Sequence, residues 1–300
     1  MTIPINLPAS VHQRLINKAK KDGRPFNELL QYYVMERFLY RLAKSPLADR
    51  FILKGALLMQ VWRLPELRPT MDIDLLGKTR NDEDYVAEQV RTILETQVTS
   101  DGLEFHPDSI RSEHISEEAE YHGIRVRFEG RLGSAKVTLQ TDIGFGDIVF
   151  PGPEEADIPT MLDFDRPRLL CYSRESVIAE KFEAMVKLGR LNSRMKDFFD
   201  IWVISKHFNF EGSRLTEAIR RTFERRETLL SEEIEAFSAP FAITKQPQWT
   251  AFRKRIKSEE VPASFSDLVS FIGEFISPVA HSILSGTSHL QIWKAPGPWI

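Results

Sequence analysis

The sequence predicts an α+β fold in two lobes, an α/β lobe over residues 1–165 followed by an α-helical lobe over 166–300. Three patterns support this division. The stretch 71–75 alternates apolar and acidic residues with the two-residue period of a strand. Segments 122–130 and 135–143 alternate in the same way around a short glycine–serine turn, which indicates a hairpin. The rest of the chain after this hairpin places its apolar residues mainly at helical spacing.

Each expected element rests on a local signal. Residues 9–46 have helical spacing that Gly23-Arg24-Pro25 interrupts, so two helices are expected, the first of them capped by Ser10. The other expected elements are a short apolar segment and a helix within 50–63, the strand at 71–75, a polar helix at 82–97, the hairpin, an irregular connection at 151–168, and helices at 174–190, 193–207, 213–236 and 264–276.

The composition predicts a soluble protein with a sizeable core. Hydrophobic residues make up 42% of the chain and charged residues 28%, and the formal net charge of -3 gives no overall field that would attract nucleic acid or membrane. The single cysteine, Cys171, excludes an internal disulfide and fits a reducing compartment. The N-terminal stretch lacks the apolar run of a signal peptide, and no segment reaches the ~20 apolar residues of a membrane span. A cytoplasmic location without membrane contact is therefore expected.

The most informative residues are two aspartates on the first predicted strand. Asp72 and Asp74 are two positions apart, so their carboxylates project from one face while Met71, Ile73 and Leu75 bury the other. Adjacent carboxylates repel each other unless a cation neutralises them. Mg²⁺ prefers carboxylate oxygens together with substrate phosphates, and Mn²⁺ takes similar ligands. The pair therefore predicts a metal site, and a solvated pair at a strand edge is the alternative.

A third carboxylate is expected from Asp142, at the end of the second hairpin strand and on its polar side. Pairing between that strand and the first one would bring Asp142 beside Asp72. Three carboxylates suit a two-metal site for phosphoryl transfer, in which one ion activates the attacking hydroxyl and the other holds the triphosphate of an NTP.

The sequence around the aspartate pair offers groups that bind phosphate. Gly55 opens a predicted helix, where backbone N–H groups and the helix dipole favour an anion. Lys54 and Arg68 add positive charge, and Thr70 presents a hydroxyl on the same side as Asp72. These four residues around the pair are candidate substrate-binding residues.

Two predicted helices of the second lobe carry further candidates. Lys181 borders an apolar stripe, and the simplest interpretation is a lysine that extends to solvent. Asp197 and Asp200 lie on the inward side of the next helix, where a carboxylate needs a partner such as Lys181. Ordinary surface pairs with neighbouring basic residues are the alternative.

Two basic clusters could offer a local surface for nucleic acid. They contain Arg220, Arg221, Arg225 and Arg226 in the first, and Arg253, Lys254, Arg255 and Lys257 in the second. Nearby glutamates favour solvated helix faces, and a groove for an RNA backbone is the alternative. The sequence contains no complete P-loop, no dinucleotide-binding fingerprint, no zinc motif and no serine-nucleophile elbow.

Taken together, the motifs resemble the AbiEii/AbiGii toxin family. The matching segments are ERFLYRLAKSPLADRFILKGALL, RPTMDIDLLG, TDIGFGD and SVIAEKFEAMVKLGRLNSRMKDFFDIW. The resemblance implies a DNA polymerase β-like nucleotidyltransferase fold for the N-terminal lobe and a relationship to the MenT toxins. One departure is Ala56 after Gly55, where the broader superfamily often has serine or glycine, so Thr70 is expected to replace that contact.

The resemblance also implies an activity. Such a toxin of a type IV toxin–antitoxin system transfers a nucleoside monophosphate from an NTP to an acceptor, here expected to be the 3′ end of a tRNA. An AbiEi-like winged-helix antitoxin is the expected partner. The resemblance implies that Lys181 binds the triphosphate. It also implies a supporting role for a helix aspartate, for which Asp197 is favoured over Asp200. Asp72, Asp74, Lys181 and Asp197 are thus the expected catalytic residues.

Two alternatives to this activity stay open at this point. In the first, the same transferase acts on a protein or small-molecule hydroxyl. In the second, the chain is a non-catalytic module that binds a nucleotide or a partner.

Overall fold

A computed structural model of the chain describes residues 6–65, 68–117, 121–256 and 258–300, so Lys257 of the second basic cluster lies outside the described residues. The α+β class predicted from the sequence is confirmed. The chain forms two compact units that interleave along the sequence. The first unit comprises Met1–Trp62, Thr70–Gly146 and Glu154–Cys171, and the second comprises Arg63–Pro69, Asp147–Pro153 and Tyr172–Ile300.

The first unit is built on a seven-stranded mixed sheet. Its strands are β1 (Phe51–Lys54), β2 (Asp72–Gly77), β3 (Leu103–Glu117), β4 (Tyr121–Leu132), β5 (Ala135–Phe145), β6 (Glu154–Asp157) and β7 (Arg168–Cys171). They are ordered β3–β4–β5–β2–β1–β7–β6. The pairs β2–β5 and β1–β7 are parallel, and the other neighbours are antiparallel. The β4–β5 hairpin and strand β2 were predicted from their alternation.

Apolar packing distinguishes the two faces of this sheet. The helices of the unit are α1 (Leu7–Asp22), α2 (Phe26–Lys44), α3 (Leu57–Val61) and α4 (Glu83–Glu95). Phe38 of α2 packs against Phe128 of β4, with ring centroids 5.0 Å apart, and Ile73 and Leu75 of β2 are fully buried. Because side chains alternate along a strand, the residues between these apolar ones lie on the opposite, more polar face.

Local details of the first unit differ from the predictions. Asn6 caps α1 instead of Ser10, because the helix begins earlier and the Asn6 side chain accepts a 3.0 Å hydrogen bond from the Ala9 N–H. Met71 precedes β2 and is 56% exposed, so it does not share the burial of Ile73.

Three strands of the first unit, β3, β6 and β7, were not predicted from the sequence. The connection predicted as irregular at 151–168 contains β6, a short edge strand whose glutamates conceal any apolar alternation. Strand β3 was missed too, and a register shift between His106 and Arg111 interrupts its pairing with β4.

The second unit is mainly helical. Its elements are α5 (Arg174–Leu188), α6 (Met195–His207), α7 (Gly212–Arg225), α8 (Ala239–Arg253), α9 (Phe265–Ser285) and the short strands β8 (Phe210–Glu211) and β9 (Ile292–Trp293). Phe198 of α6 and Phe265 of α9 meet edge to face, with centroids 5.1 Å apart. Among the described residues, α9 is the one helix long and apolar enough to cross a membrane. Its Leu268, Ile272 and Phe275 are buried inside the unit, as expected for a core helix.

Two predicted helix ends in the second unit were wrong, and one helix was not predicted. The helix expected over 213–236 ends at Arg225, because Glu227 adopts a left-handed φ of 52° that a helix cannot continue through. Helix α8 was not predicted, since Pro247 lies inside it. Helix α9 was expected to end at residue 276, but it continues through Pro278 to Ser285.

Arg226 is buried among acidic side chains of the second unit. Its Nη2 lies 3.0 Å from Asp147 Oδ1 and 3.3 Å from Glu180 Oε2, and its Nη1 lies 2.8 Å from Glu183 Oε2. Burial alone would lower the pKa of Arg226, but these three acids outweigh it and raise the pKa. Arg220, by contrast, is 43% exposed and pairs with two glutamates of its own helix. The first basic cluster is therefore divided between a buried ion-pair network and an exposed, paired helix face.

We expect Arg226→Met to lower the free energy of unfolding by about 3–5 kcal/mol, because it leaves buried carboxylates without their cation. Arg220→Met is the matched control and should cost less than about 1 kcal/mol, as exposed ion pairs do. Urea unfolding followed by tryptophan fluorescence and circular dichroism measures both. Equal losses in the two variants would contradict the structural role given to Arg226.

Candidate active site

Three carboxylates converge on the polar face of the central strands. Asp72 and Asp74 lie on β2, and Asp142 lies on the parallel strand β5 directly opposite Asp74. One oxygen atom from each side chain lies within 4.8 Å of those of the other two. All three residues are partly exposed, so solvent reaches them. The strand pairing expected from the sequence is present, with Asp74 instead of Asp72 as the direct neighbour of Asp142.

This donor set fits a hard divalent cation. Carboxylate oxygens are the ligands that Mg²⁺ prefers, and opposite oxygens around one octahedral ion lie about 4.2 Å apart. Small side-chain rotations would therefore bring the three carboxylates, which lie within 4.8 Å of one another, to one or two ions. Asp72, Asp74 and Asp142 are the residues that would hold such ions.

Thr70 orients one of these carboxylates. Its hydroxyl donates a 2.6 Å hydrogen bond to Asp72 Oδ1, and its backbone N–H donates to the Tyr32 hydroxyl at 3.1 Å. Thr70 itself is buried. The hydroxyl lies on the side of the carboxylates, as the sequence predicts, and it fixes the position of Asp72.

Gly55 provides the space that Asp74 occupies. A Cβ atom added to Gly55 would lie 1.9 Å from Asp74 Oδ2, and the residue has a φ of 76° that favours glycine. The following helix α3 has only five residues, so the importance of Gly55 lies in this close approach more than in a helix dipole. Lys54, at the end of β1, is paired in register with Asp74. Directly opposed residues share one face of the sheet, so Lys54 adds positive charge beside that carboxylate.

Arg125 is a site residue that the sequence patterns did not identify. Its Nε donates to Asp142 Oδ1 at 2.8 Å and its Nη2 donates to Oδ2 at 2.7 Å. Gln140 Nε2 also donates to Oδ2, at 3.3 Å. The hairpin register places Arg125 opposite Asp142. Counting back from the predicted glycine–serine turn would have given this pairing, because the turn fixes the register.

A second charged cluster joins α5, α6 and Arg68 within the second unit. Lys181 Nζ lies 2.9 Å from Asp197 Oδ1 and 2.6 Å from Asp200 Oδ2. Arg68 forms a bidentate pair with Asp200, at 2.8 and 3.0 Å. Arg194 Nε donates to Asp197 Oδ2 at 2.7 Å. Three cations and two carboxylates leave this cluster with one net positive charge.

Burial does not neutralise this cluster. Burial opposes ionisation of Asp197, but the charges of Lys181 and Arg194 outweigh it and lower the pKa of Asp197 to about 2. Burial likewise opposes the charge on Lys181, yet Asp197 and Asp200 raise the pKa of its ammonium group above the ordinary value. With a side chain only 13% exposed, Lys181 does not extend to solvent as an unpaired lysine would. The alternative of an ordinary surface pair is wrong for Asp200, whose side chain is fully buried.

Comparison with known proteins identifies the family to which this chain belongs. The family model described as nucleotidyl transferase AbiEii toxin, type IV TA system, matches residues 37–270. The chain belongs to the AbiEii family. It is therefore a nucleotidyltransferase of the toxin family of type IV toxin–antitoxin systems, and the resemblance indicated by its sequence motifs is confirmed. The family implies an NTP substrate, a divalent metal and an antitoxin partner.

Two solved structures are similar to this AbiEii family chain. One, from H. pylori, is described as a candidate nucleotidyltransferase; it has a TM-score of 0.46 and 13% identity and covers 88% of this chain and 99% of its own. The other is JHP933 from Helicobacter pylori, with a TM-score of 0.47, 14% identity, and coverage of 86% and 97%. The comparison with curated proteins found no match.

We expect Gly55→Ala to weaken Mn²⁺ binding by about tenfold or more, because the added methyl group displaces the Asp74 carboxylate. Gly23→Ala is the matched control: its φ of 62° carries the same backbone strain, but no atom lies within 4 Å of the added methyl group. That strain costs about 1 kcal/mol in either variant. Electron paramagnetic resonance of free Mn²⁺ measures binding. Unchanged affinity in Gly55→Ala would show that Asp74 does not need this space.

Proposed function

We propose that this AbiEii enzyme transfers a nucleoside monophosphate from an NTP to the 3′ hydroxyl of a tRNA, with Mg²⁺ or Mn²⁺ held by Asp72, Asp74 and Asp142. The observation that carries the proposal is the convergence of these three carboxylates within 4.8 Å on neighbouring strands. Family membership supplies the reaction class. The ion is inferred from the donor set, and the tRNA acceptor from the resemblance of the sequence motifs to this toxin family.

The reaction makes one bond and breaks one. The acceptor oxygen attacks the α-phosphorus of the NTP, and the bond from that phosphorus to the α–β bridging oxygen breaks, so pyrophosphate leaves with the electron pair. The acceptor hydroxyl loses its proton to solvent, which reaches the partly exposed carboxylates. Bound divalent ions would make the acceptor hydroxyl more acidic and neutralise the leaving pyrophosphate. Thr70 and Gly55 keep Asp72 and Asp74 in place for this role.

The positive cluster of the second unit is proposed to bind the triphosphate. An ammonium group has three N–H donors, and the contacts of Lys181 with Asp197 and Asp200 engage two of them. The third can donate to a phosphate oxygen. In this proposal Asp197 is a positioning residue that keeps Lys181 charged, and Asp200 does the same for Lys181 and Arg68. Lys54 adds positive charge beside Asp74.

The proposed cellular setting follows from the substrate. A toxin that blocks tRNA ends acts in the cytoplasm, and an AbiEi-like winged-helix antitoxin is the proposed partner. The one cysteine, Cys171, is a buried free thiol, and burial raises its pKa to about 12, so it is unreactive.

We expect Asp72→Asn to reduce nucleotidyl transfer at least about 100-fold, because it weakens the hold on ions that stabilise the transition state. Glu155→Gln, an exposed residue of β6 paired with Arg168, is the control and should retain full activity. The assay combines each α-labelled NTP with Mg²⁺ and total tRNA. If the label appears in a protein or small-molecule fraction instead of tRNA, the proposed acceptor is wrong but the nucleotidyl-transfer reaction stands.

The same variants test toxicity. Wild type and Glu155→Gln should arrest growth, whereas Asp72→Asn should not, at matched soluble levels. Equal arrest by all three would overturn the catalytic explanation of toxicity.

We expect Lys181→Met to weaken binding of an Mg²⁺-loaded, non-hydrolysable NTP analogue by about tenfold or more, the size of one lost charged hydrogen bond. Lys187→Met, on the exposed side of the same helix, should bind like wild type. Isothermal titration calorimetry measures the affinities. Since Lys181→Met leaves two buried aspartates without this cation, Lys181→Arg serves as a second variant that keeps the charge. Wild-type affinity in folded Lys181→Met would remove Lys181 from the nucleotide site.

A further inference from the structure

We infer that Arg125 positions Asp142 and suppresses the binding of free divalent cations to the three carboxylates, so that ions occupy the site together with the nucleotide. This inference rests on the proposed metal site and adds a residue that controls its occupancy.

Arg125 belongs to a row of charged residues that crosses five strands. In the strand registers, Lys54 of β1 is opposite Asp74 of β2, Asp74 is opposite Asp142 of β5, and Asp142 is opposite Arg125 of β4. Residues in directly opposed positions share one face of a sheet. The row therefore runs from a cation through two carboxylates to a second cation, Arg125, and beyond it Glu113 of β3 lies opposite Arg125.

The contact between Arg125 and Asp142 uses both carboxylate oxygens. The two parallel hydrogen bonds, at 2.8 and 2.7 Å, form the bidentate geometry that is the strongest for this pair of groups. The side chains are only 24% and 19% exposed, so solvent screens the contact incompletely. A cation that binds Asp142 must take one of these oxygens and must therefore compete with an Arg125 N–H donor.

The charge balance favours ions that arrive with phosphate. The three carboxylates carry three negative charges, and Lys54 and Arg125 reduce this to one, while the neighbouring Glu113 and Arg127 pair with each other and add no net charge. A free divalent ion gains little attraction from one net negative charge and is repelled by Arg125 at short range. The triphosphate of an NTP brings additional negative charge to the same place, which offsets Arg125 and supplies further oxygen ligands.

Arg127 offers a matched control on the same strand. It lies two residues further along β4 on the same face, where its Nη1 is 2.9 Å from Glu113 Oε1 and its Nε donates to Gln140 Oε1 at 3.2 Å. These contacts are with Glu113 and Gln140, and Gln140 in turn donates to Asp142. Replacing Arg127 removes the same charge from the same face but leaves both hydrogen bonds between Arg125 and Asp142 in place.

The experiment titrates Mn²⁺ at low ionic strength and follows the resonance of the free ion. Without nucleotide, Arg125→Gln should bind Mn²⁺ about tenfold more tightly than wild type, and raising the salt concentration should reduce this gain. Arg125→Lys keeps the charge and should stay within about threefold of wild type, as should Arg127→Gln. With a non-hydrolysable NTP analogue present, the advantage of Arg125→Gln should shrink below about threefold. Circular dichroism establishes that each variant is folded.

Further variants separate this inference from the metal site itself. Adding Asp142→Asn to Arg125→Gln should abolish the gain in affinity, because the released carboxylate is then absent. An Arg125→Gln affinity equal to that of wild type, or an equal gain in Arg127→Gln, overturns the inference. In either case Asp72→Asn tests the proposed metal site separately. If Asp72→Asn weakens Mn²⁺ binding, the metal site is supported although Arg125 does not control it. If Asp72→Asn leaves Mn²⁺ binding unchanged, the proposed metal site is wrong as well.

Discussion

Mutual repulsion among three carboxylates within 4.8 Å of one another is the constraint that organises the first unit. Strand β2 is paired on both sides, with β1 and β5, so its backbone cannot shift to move the acids apart. The surroundings compensate at each acid in a different way. Thr70 donates a hydrogen bond to Asp72, Gly55 leaves room for Asp74, and Arg125 binds Asp142 through two hydrogen bonds.

In the second unit the buried charges are cations, and acidic side chains compensate them. There the cations Lys181 and Arg68 are largely buried, and two aspartates stabilise their charge. A buried ion pair is weak evidence for stability, because desolvation offsets much of the attraction. In the proposed function the contribution of these ion pairs is orientation, because long, flexible side chains are held by short contacts before a substrate binds. Each unit thus keeps its reactive charges nearly balanced, the acids by cations and the cations by acids.

Much of this organisation could be predicted from local patterns in the sequence. The alternation around Asp72 and the glycine–serine turn were enough to predict β2 and the β4–β5 hairpin, because a strand with one buried face shows its period in the sequence. The same turn fixes the strand register that places Arg125 opposite Asp142. No sequence motif identifies Arg125, because an arginine on the polar face of a strand is common.

Other features depend on contacts between distant segments. The pairing of β2 with β5 bridges a separation of 68 residues, and the pair of Arg68 with Asp200 bridges 132. Contacts over such separations produce neither a periodicity nor a turn motif in the sequence, so local patterns do not predict them. Edge strand β6 and helix α8 were missed for a different reason, since charged edge residues and an internal proline are tolerated where tertiary packing decides the structure.

The parallel pairing of β2 and β5 also sets the time at which the acid triad can form during protein synthesis. A parallel pair needs a long connection, and here β3 and β4 must be made before β5 can join β2. At about 5–20 residues per second, translation of the 68 residues between the paired positions takes roughly 3–14 s. Throughout that interval the nascent toxin carries Asp72 and Asp74 without Asp142. A ribosome that stalls within β3 or β4 therefore holds a chain that cannot yet assemble its third acid.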